Sequence, residues 1–160
     1  MRSALPILYR VRPATVDDLD IVVHHRLAMF GDMGVEIDAA AVGPAFRAWL
    51  LQMMPAGVYH GWVVETPTEG VVAGGGLTVI PWPPGPKALG DRLAFVYNVF
   101  TEPPHRRRGL ARLIMEAIHD WCLRERIGVV ALNASPQARQ LYESLGYTGA
   151  PSPMMVRSAS

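Results

Sequence analysis

Leu8-Tyr9-Arg10-Val11-Arg12 alternates apolar with polar at the two-residue period of a strand, and Pro13 stops it. Thr15 then reads as a helix N-cap, with Asp17 and Asp18 in the first turn, where the helix dipole favours negative charge. Val16, Leu19, Val23, Leu27 and Phe30 recur at three- and four-residue steps and predict the buried stripe of that helix. Gly31 to Ile37 reads as a loop. Asp38 caps a second, less regular helix through Phe46, Trp49, Leu50 and Met53. Two apolar runs, 58–65 and 71–80, flank the turn Pro67-Thr68-Glu69-Gly70 and predict a hairpin. The stretch 81–90, with four prolines and two glycines, suits a surface excursion before a strongly apolar strand from Leu93 to Phe100. Pro103 and Pro104 end that strand.

The clearest helix comes next. Leu110, Leu113, Ile114, Ala117, Ile118, Trp121 and Cys122 fit the i, i+3, i+4, i+7 rule, and Gly128 closes the segment. Val129 to Leu132 is a short, wholly apolar run, as in a strand covered on both faces. Ser135 and Pro136 begin a short helix carrying Ala138, Leu141, Tyr142 and Leu145, which Gly146 terminates. The tail from Tyr147 to Arg157 supplies one or two last strands around Pro151 and Pro153. The order strand, two helices, three strands, helix, strand, helix, strand predicts one mixed α/β (α+β) domain over residues 1–160, with its core at about 8–158.

Composition narrows the function classes. Half of the 160 residues are apolar and 18% are charged, which excludes a disordered chain. Fifteen Lys+Arg against fourteen Asp+Glu leave a net charge of +1, too balanced for a non-specific nucleic-acid binder. A single cysteine rules out a disulfide framework or a Cys-rich zinc site. The least polar stretch, 71–86, is interrupted by three glycines and several prolines, so no membrane span is expected; the first ten residues contain no long apolar run, so no signal peptide is expected either. The expected location is cytoplasmic. Lys87 is the sole lysine among the basic residues, an Arg bias that, with Ala, Gly and Pro, suits a GC-rich bacterial source.

The chemically informative segment runs from Asn98 to Ala111, between the apolar strand and the best helix. A strand feeding a helix start through Arg106-Arg107-Arg108-Gly109 offers unpaired backbone N–H groups at the positive end of the dipole, with arginines to add charge-assisted bonds. That is machinery for a phosphate or pyrophosphate. Neither Gly-x-x-x-x-Gly-Lys-Ser/Thr nor Gly-x-Gly-x-x-Gly is present, so the P-loop and dinucleotide readings fail. A solvated basic turn is the alternative.

Arg106-x-x-Gly109-x-Ala111 resembles the Arg/Gln-x-x-Gly-x-Gly/Ala signature of the GCN5-related N-acetyltransferases (GNAT superfamily), in the same place between strand and amphipathic helix. Ser135-x-x-Ala138-x-x-Leu141-Tyr142-Glu143-x-Leu145-Gly146-Tyr147 resembles that family's C-terminal helix, and Arg12-Pro13-Ala14-Thr15 with Asp18 is similar to its N-termini. The resemblance implies a mostly antiparallel sheet of six to seven strands, splayed at the cofactor site, with four helices. It implies that acetyl-CoA serves as co-substrate, with no metal. Val99, Phe100 and Thr101 would offer backbone groups to the pantetheine arm. Arg106, Arg107, Arg108, Gly109, Leu110 and Ala111 would wrap the pyrophosphate, and Asn133 and Ser135 would border the arm. Tyr142 would be the general acid, a phenol of pKa about 10 able to protonate the departing thiolate; its alternative is a core aromatic.

The family often carries a glutamate on the strands beside the gap, whereas 93–100 and 129–132 hold no carboxylate. Glu102, Asp32 and Glu36 are base candidates by loop position only, each otherwise an ordinary surface acid. His24 and His25 lack a third ligand nearby, as do His119 and Cys122, so metal binding is not expected. Cys122 reads as a buried hydrophobe, His105 as a solvent-exposed ring, and Met29, Met33, Met53 and Met54 as an acceptor-pocket lining or core filler. No Gly-x-Ser-x-Gly elbow is present. The expected function is direct acetyl transfer from acetyl-CoA to a primary amine of a small molecule, peptide or protein; the alternative is a non-catalytic acyl-CoA sensor of the same fold. Acids at Asp32, Glu36 and Asp38 point to a cationic acceptor. A homodimer is compatible with the resemblance.

Overall fold

The computed structural model describes residues 6–149 and 155–158. In chain order the elements are β1 (Arg10–Pro13), α1 (Leu19–Asp32), α2 (Ala39–Met53), β2 (Tyr59–Thr66), β3 (Gly70–Pro81), β4 (Arg92–Thr101), α3 (Leu110–Arg124), β5 (Val129–Leu132) and α4 (Arg139–Ser144). Single 3-10 turns precede α1 and follow β4. The strands make one sheet in the order β1-β2-β3-β4-β5. β1 and β2 pair antiparallel across the two helices that join them, the pairs β2–β3 and β3–β4 are antiparallel with helix-free connections, and β4 and β5 pair parallel because α3 carries the chain back between them.

The expected four helices are present, but the six to seven strands are five among the described residues. Tyr147–Gly149 and Met155–Ser158 form no strand, and the positions around Pro151 and Pro153 lie outside the described residues. The first strand is also shorter than its alternation suggested, since its pairing with β2 begins only at Arg10 opposite Glu65.

The sheet is covered on both faces, and adjacent glycines of β3 show how. A Cβ on Gly74 would lie 3.0 Å from Nδ1 of His25 in α1, whereas one on Gly75 would lie 2.9 Å from Ile114 in α3. Consecutive strand residues point to opposite faces, so α1 and α3 pack on opposite sides of the sheet. On the α3 side, Leu110, Ile114, Met115, Ile118 and Cys122 pack with Trp62, Val64, Leu77, Val96 and Tyr142. On the other, Leu19, Val22, Leu50 and Tyr59 form a smaller core under α1 and α2.

α1 departs from its predicted stripe. Its buried residues are Leu19, Val22 and His25, and Val16 lies exposed in the preceding turn. Val23 and Leu27 face Gly43 of α2, whose Cβ position is 3.8 and 3.5 Å from them. The apolar stripe therefore meets the second helix, and the adjacent face, histidine included, meets the sheet. The start of α1 is fixed by a capping box between Thr15 and Asp18. Arg12 grips both carboxylate oxygens of Asp18 at 2.8 and 2.9 Å and Glu65 at 3.1 Å, binding β1 to β2 and to the helix. That grip holds the Asp18 carboxyl below the usual carboxylate range.

Gly76 is required by packing. A Cβ there would fall 2.5 Å from Cζ of the buried Tyr59. We expect Gly76→Ala to lose about 1–3 kcal/mol in urea unfolding. Gly31→Ala, where a helical Cβ meets nothing within 4 Å, should hold or gain stability by up to about 1 kcal/mol.

Candidate active site

β4 and β5 pair only from Leu93–Val129 to Val96–Leu132. Beyond Val96, β4 continues for five residues, paired with β3 alone, and its other edge lacks a strand partner among the described residues. The departure coincides with a bulge. Gly74 pairs with Phe100 and Gly76 with Tyr97, leaving Asn98 and Val99 opposite the single residue Gly75. Asn98 takes φ of 60°, a left-handed conformation that asparagine tolerates better than most residues. Its side chain is locked, because Oδ1 accepts a 2.7 Å bond from Nη1 of Arg26.

β4 leads through Glu102 and the 3-10 turn 103–105 into α3. Gly109 precedes α3 at φ 79°, and the helix has no side-chain cap. The first helical amide bond runs from Leu113 to the Gly109 carbonyl at 3.1 Å, so the N–H groups of Leu110, Ala111 and Arg112 come before the ladder begins. Arg107 is also left-handed, at φ 61°. Arg107, Arg108 and Gly109 are exposed, whereas Leu110 is buried and Ala111 half-buried. The result is an open cradle of amides and guanidinium groups suited to an anion.

Arg106 has a different place. Its Nε donates to the Thr101 carbonyl at 2.9 Å, Nη2 meets Asp32 at 2.5 Å, and the guanidinium lies 5.5 Å from the Phe100 ring centre. It braces the loop against the end of α1 and β4. His105, expected in solvent, is instead 4% exposed. Its Nδ1 bonds the Tyr9 hydroxyl at 2.9 Å and its Nε2 meets Glu69 at 2.9 Å, tying the loop to the chain before β1 and to the β2–β3 turn. Those partners lie 96 and 36 positions away, which is why local sequence did not reveal the burial.

Of the other expected site residues, Val99 lies beside Ile114 at the Gly75 position, Phe100 is buried, and Thr101 pairs with Ala73. Asn133 is exposed and Ser135 half-buried, just past the end of β5. The Ser135 hydroxyl accepts from the Ala138 amide at 3.3 Å, so it stabilises the turn into α4. Tyr142 on α4 is 8% exposed, and burial raises its pKa above the ordinary phenol value. Its ring meets Tyr147 edge-on at 5.8 Å, and the Tyr147 hydroxyl is held 2.7 Å from Nε2 of His119. Arg112 at the head of α3 bonds Ser144 of α4 at 2.8 Å, linking the two helices.

The base candidates are mostly engaged elsewhere. Asp32 holds Arg106, and Glu102 sits 2.8 Å from Nε2 of His24. Glu36 is exposed. Cys122 is buried, which pushes its thiol up to about 11 and makes it a poor nucleophile. Among the described residues no cluster of three His, Cys, Asp or Glu side chains is placed to hold a metal, and no helix is long and apolar enough to cross a membrane.

The sequence analysis weighed His25 only as a metal ligand, named Asn98 only as the start of the informative segment, and passed over Arg26. His25 is 2% exposed on the sheet face of α1, with Nε2 unpaired and 3.7 Å from Glu102, beyond hydrogen-bond range. With Asn98, Tyr59, Gly74 and Gly75 it lines a small cavity at the bulge. The one visible signal was a lone asparagine in an otherwise apolar strand. Burial pushes His25 down to about 4, against the pull of Glu102 and with His24 adding to the depression. Between about 4 and 6.5 the unfolded chain binds more protons than the folded one, so stability should rise with pH across that window and level off above it. Urea unfolding should lose up to about 3 kcal/mol from this group as pH falls through the window, and His25→Gln should flatten the slope. An unchanged slope would contradict this protonation state.

A family model described as "Acetyltransferase (GNAT) family" matches residues 35–147. A GCN5-related N-acetyltransferase from Ralstonia eutropha is 34% identical, with a TM-score of 0.83 over 93% of this chain and 98% of that one. A predicted acetyltransferase from Clostridium acetobutylicum, solved with acetyl-CoA, shares the fold at 20% identity and TM-score 0.84, over 94% and 96% of the two chains. An aminoglycoside N-acetyltransferase in complex with CoA shares it at 14% identity and TM-score 0.74, over 99% of both. No curated protein matches the chain.

Proposed function

The chain belongs to the GNAT acetyltransferase family, and we propose that it is an acetyl-CoA-dependent N-acetyltransferase acting on a primary amine. The observation that carries this reading is the uncapped start of α3, with Gly109 left-handed and two exposed arginines beside it, on the segment that leaves the unpaired half of β4. The pyrophosphate binds the amides of Gly109, Leu110 and Ala111, with Arg107 and Arg108 as charged partners. Arg106 holds the loop in shape. The pantetheine arm lies along Val99, Phe100 and Thr101, in the gap that β5 vacates, with Asn133 and Ser135 on its far side.

The amine nitrogen attacks the thioester carbonyl carbon, and the C–S bond breaks as the amide C–N bond forms. Backbone N–H groups at the bulge stabilise the developing oxyanion. The Tyr142 hydroxyl donates a hydrogen bond and then its proton to the departing thiolate, and the phenolate recovers a proton from solvent. A phenol is already protonated at neutral pH, as this role requires, and burial raises its pKa further. The ammonium proton leaves to solvent, because β4 and β5 bring no carboxylate to the gap. Holding both substrates together supplies much of the rate. The missing carboxylate is also the observation that favours a sensor which binds acetyl-CoA without turnover.

Tyr142→Phe is expected to lower kcat by about 100-fold or more while leaving acetyl-CoA affinity in place; unchanged turnover would remove Tyr142 from this role. Isothermal titration should show saturable binding of acetyl-CoA and CoA that Gly109→Glu abolishes, since the new carboxylate meets the phosphates. Binding unaffected by Gly109→Glu would place the cofactor elsewhere, and tight binding without transfer to any amine would select the sensor.

A further inference from the structure

The acids that pointed to a cationic acceptor are largely spent inside the protein. Asp32 holds Arg106, and Asp38 accepts the amides of Ala40 and Ala41 at 3.1 and 3.3 Å to cap α2. The uncompensated charge at the bulge is a cation. Arg26 of α1 places its guanidinium 4.9 Å from the ring centres of Phe30 and Phe46 and 5.6 Å from that of Tyr97. Nη1 is anchored on Asn98, and no carboxylate pairs with Arg26 among the described residues. Its remaining N–H groups are not among the sealed, unpartnered polar atoms, which are His25 Nε2 and Asn98 Nδ2. They therefore stay accessible. A guanidinium gripped by aromatic rings and one side-chain amide, with free donors, is pre-organised for a two-pronged acceptor.

We propose that Arg26 is the receptor for a carboxylate on the acceptor, and that the acceptor is an amino acid. This rests on the acetyltransferase reading above. With acetyl-CoA entering from the start of α3, the amine must approach from the other side of the sheet, where α1 lies. Asn98 belongs to the bulge, so a carboxylate on Arg26 sits one side chain away from the backbone that receives the thioester. An amine separated from its carboxylate by one or a few carbons spans that interval. A polyamine has nothing to offer Arg26 and is repelled by it.

The test measures CoA release by the full-length chain with acetyl-CoA and the common amino acids, each beside its carboxamide, with diamines as a further set. For the best acceptor the acid should exceed its amide by about 10- to 100-fold in kcat/KM, although the amide's less basic amine is the more readily neutral. Arg26→Met should bring acid and amide to parity, and Arg26→Lys should retain part of the preference. Parity in the wild type, a better rate with amides or diamines, an equal fall for acid and amide in Arg26→Met, or no transfer to any amino acid would each overturn the proposal while leaving acetyl-CoA binding intact. A chain that does not bind acetyl-CoA overturns the acetyltransferase reading itself, and this assignment with it.

Discussion

β4 hydrogen-bonds β5 for four residues and then leaves it, and that divergence organises everything around the site. The extra residue at the bulge bends β4 at the point where the pairing stops, so the outer half of the strand exposes backbone groups that a continuous sheet would consume. Such groups in a half-buried gap need a partner. An extended ligand arm that pairs with them like a strand meets that need. The left-handed backbone of Asn98 is tolerable because Arg26 fixes its side chain, and Arg26 is in turn held by rings from α1, α2 and β4.

The arginines beside this gap divide by what they touch. Arg106 is bonded to Asp32 and the Thr101 carbonyl, and His105 is buried between Tyr9 and Glu69, so both serve the shape of the loop. Arg107 and Arg108 stay exposed beside the free amides of α3. Rigid bracing behind exposed cations suits a phosphate site, because the amides must be fixed while long charged side chains can adjust.

Much of this was legible in the sequence for a local reason. α3 carries its apolar residues at helical spacing because one face lies on the sheet, and Gly109 marks its start because the left-handed turn requires it. The Thr15–Asp18 box and the Asp38 cap are likewise encoded within a few residues of each other. The sheet face of α1 was not legible. Val23 and Leu27 gave the helical period, but they pack on Gly43, and the buried histidine answers to glycine in β3. His105 looked like part of a basic, solvated turn, yet its partners come from the chain before β1 and from the β2–β3 turn. The roles of Asn98 and Arg26 depend on a bulge, which needs two strands in register before it exists. Asp32 and Asp38 read from the sequence as acids of the α1–α2 loop, and their bonds to Arg106 and to the α2 amides depend on contacts that the charge count does not carry.

Amide hydrogen exchange with and without CoA reads directly the backbone groups at the open edge of β4 and the start of α3. CoA binding should slow exchange in two stretches, 97–101 and 107–112, with the β1–β2 pairing unaffected. Protection confined to other segments, or none at saturating CoA, would contradict a cofactor site built from the open edge of β4 and the start of α3.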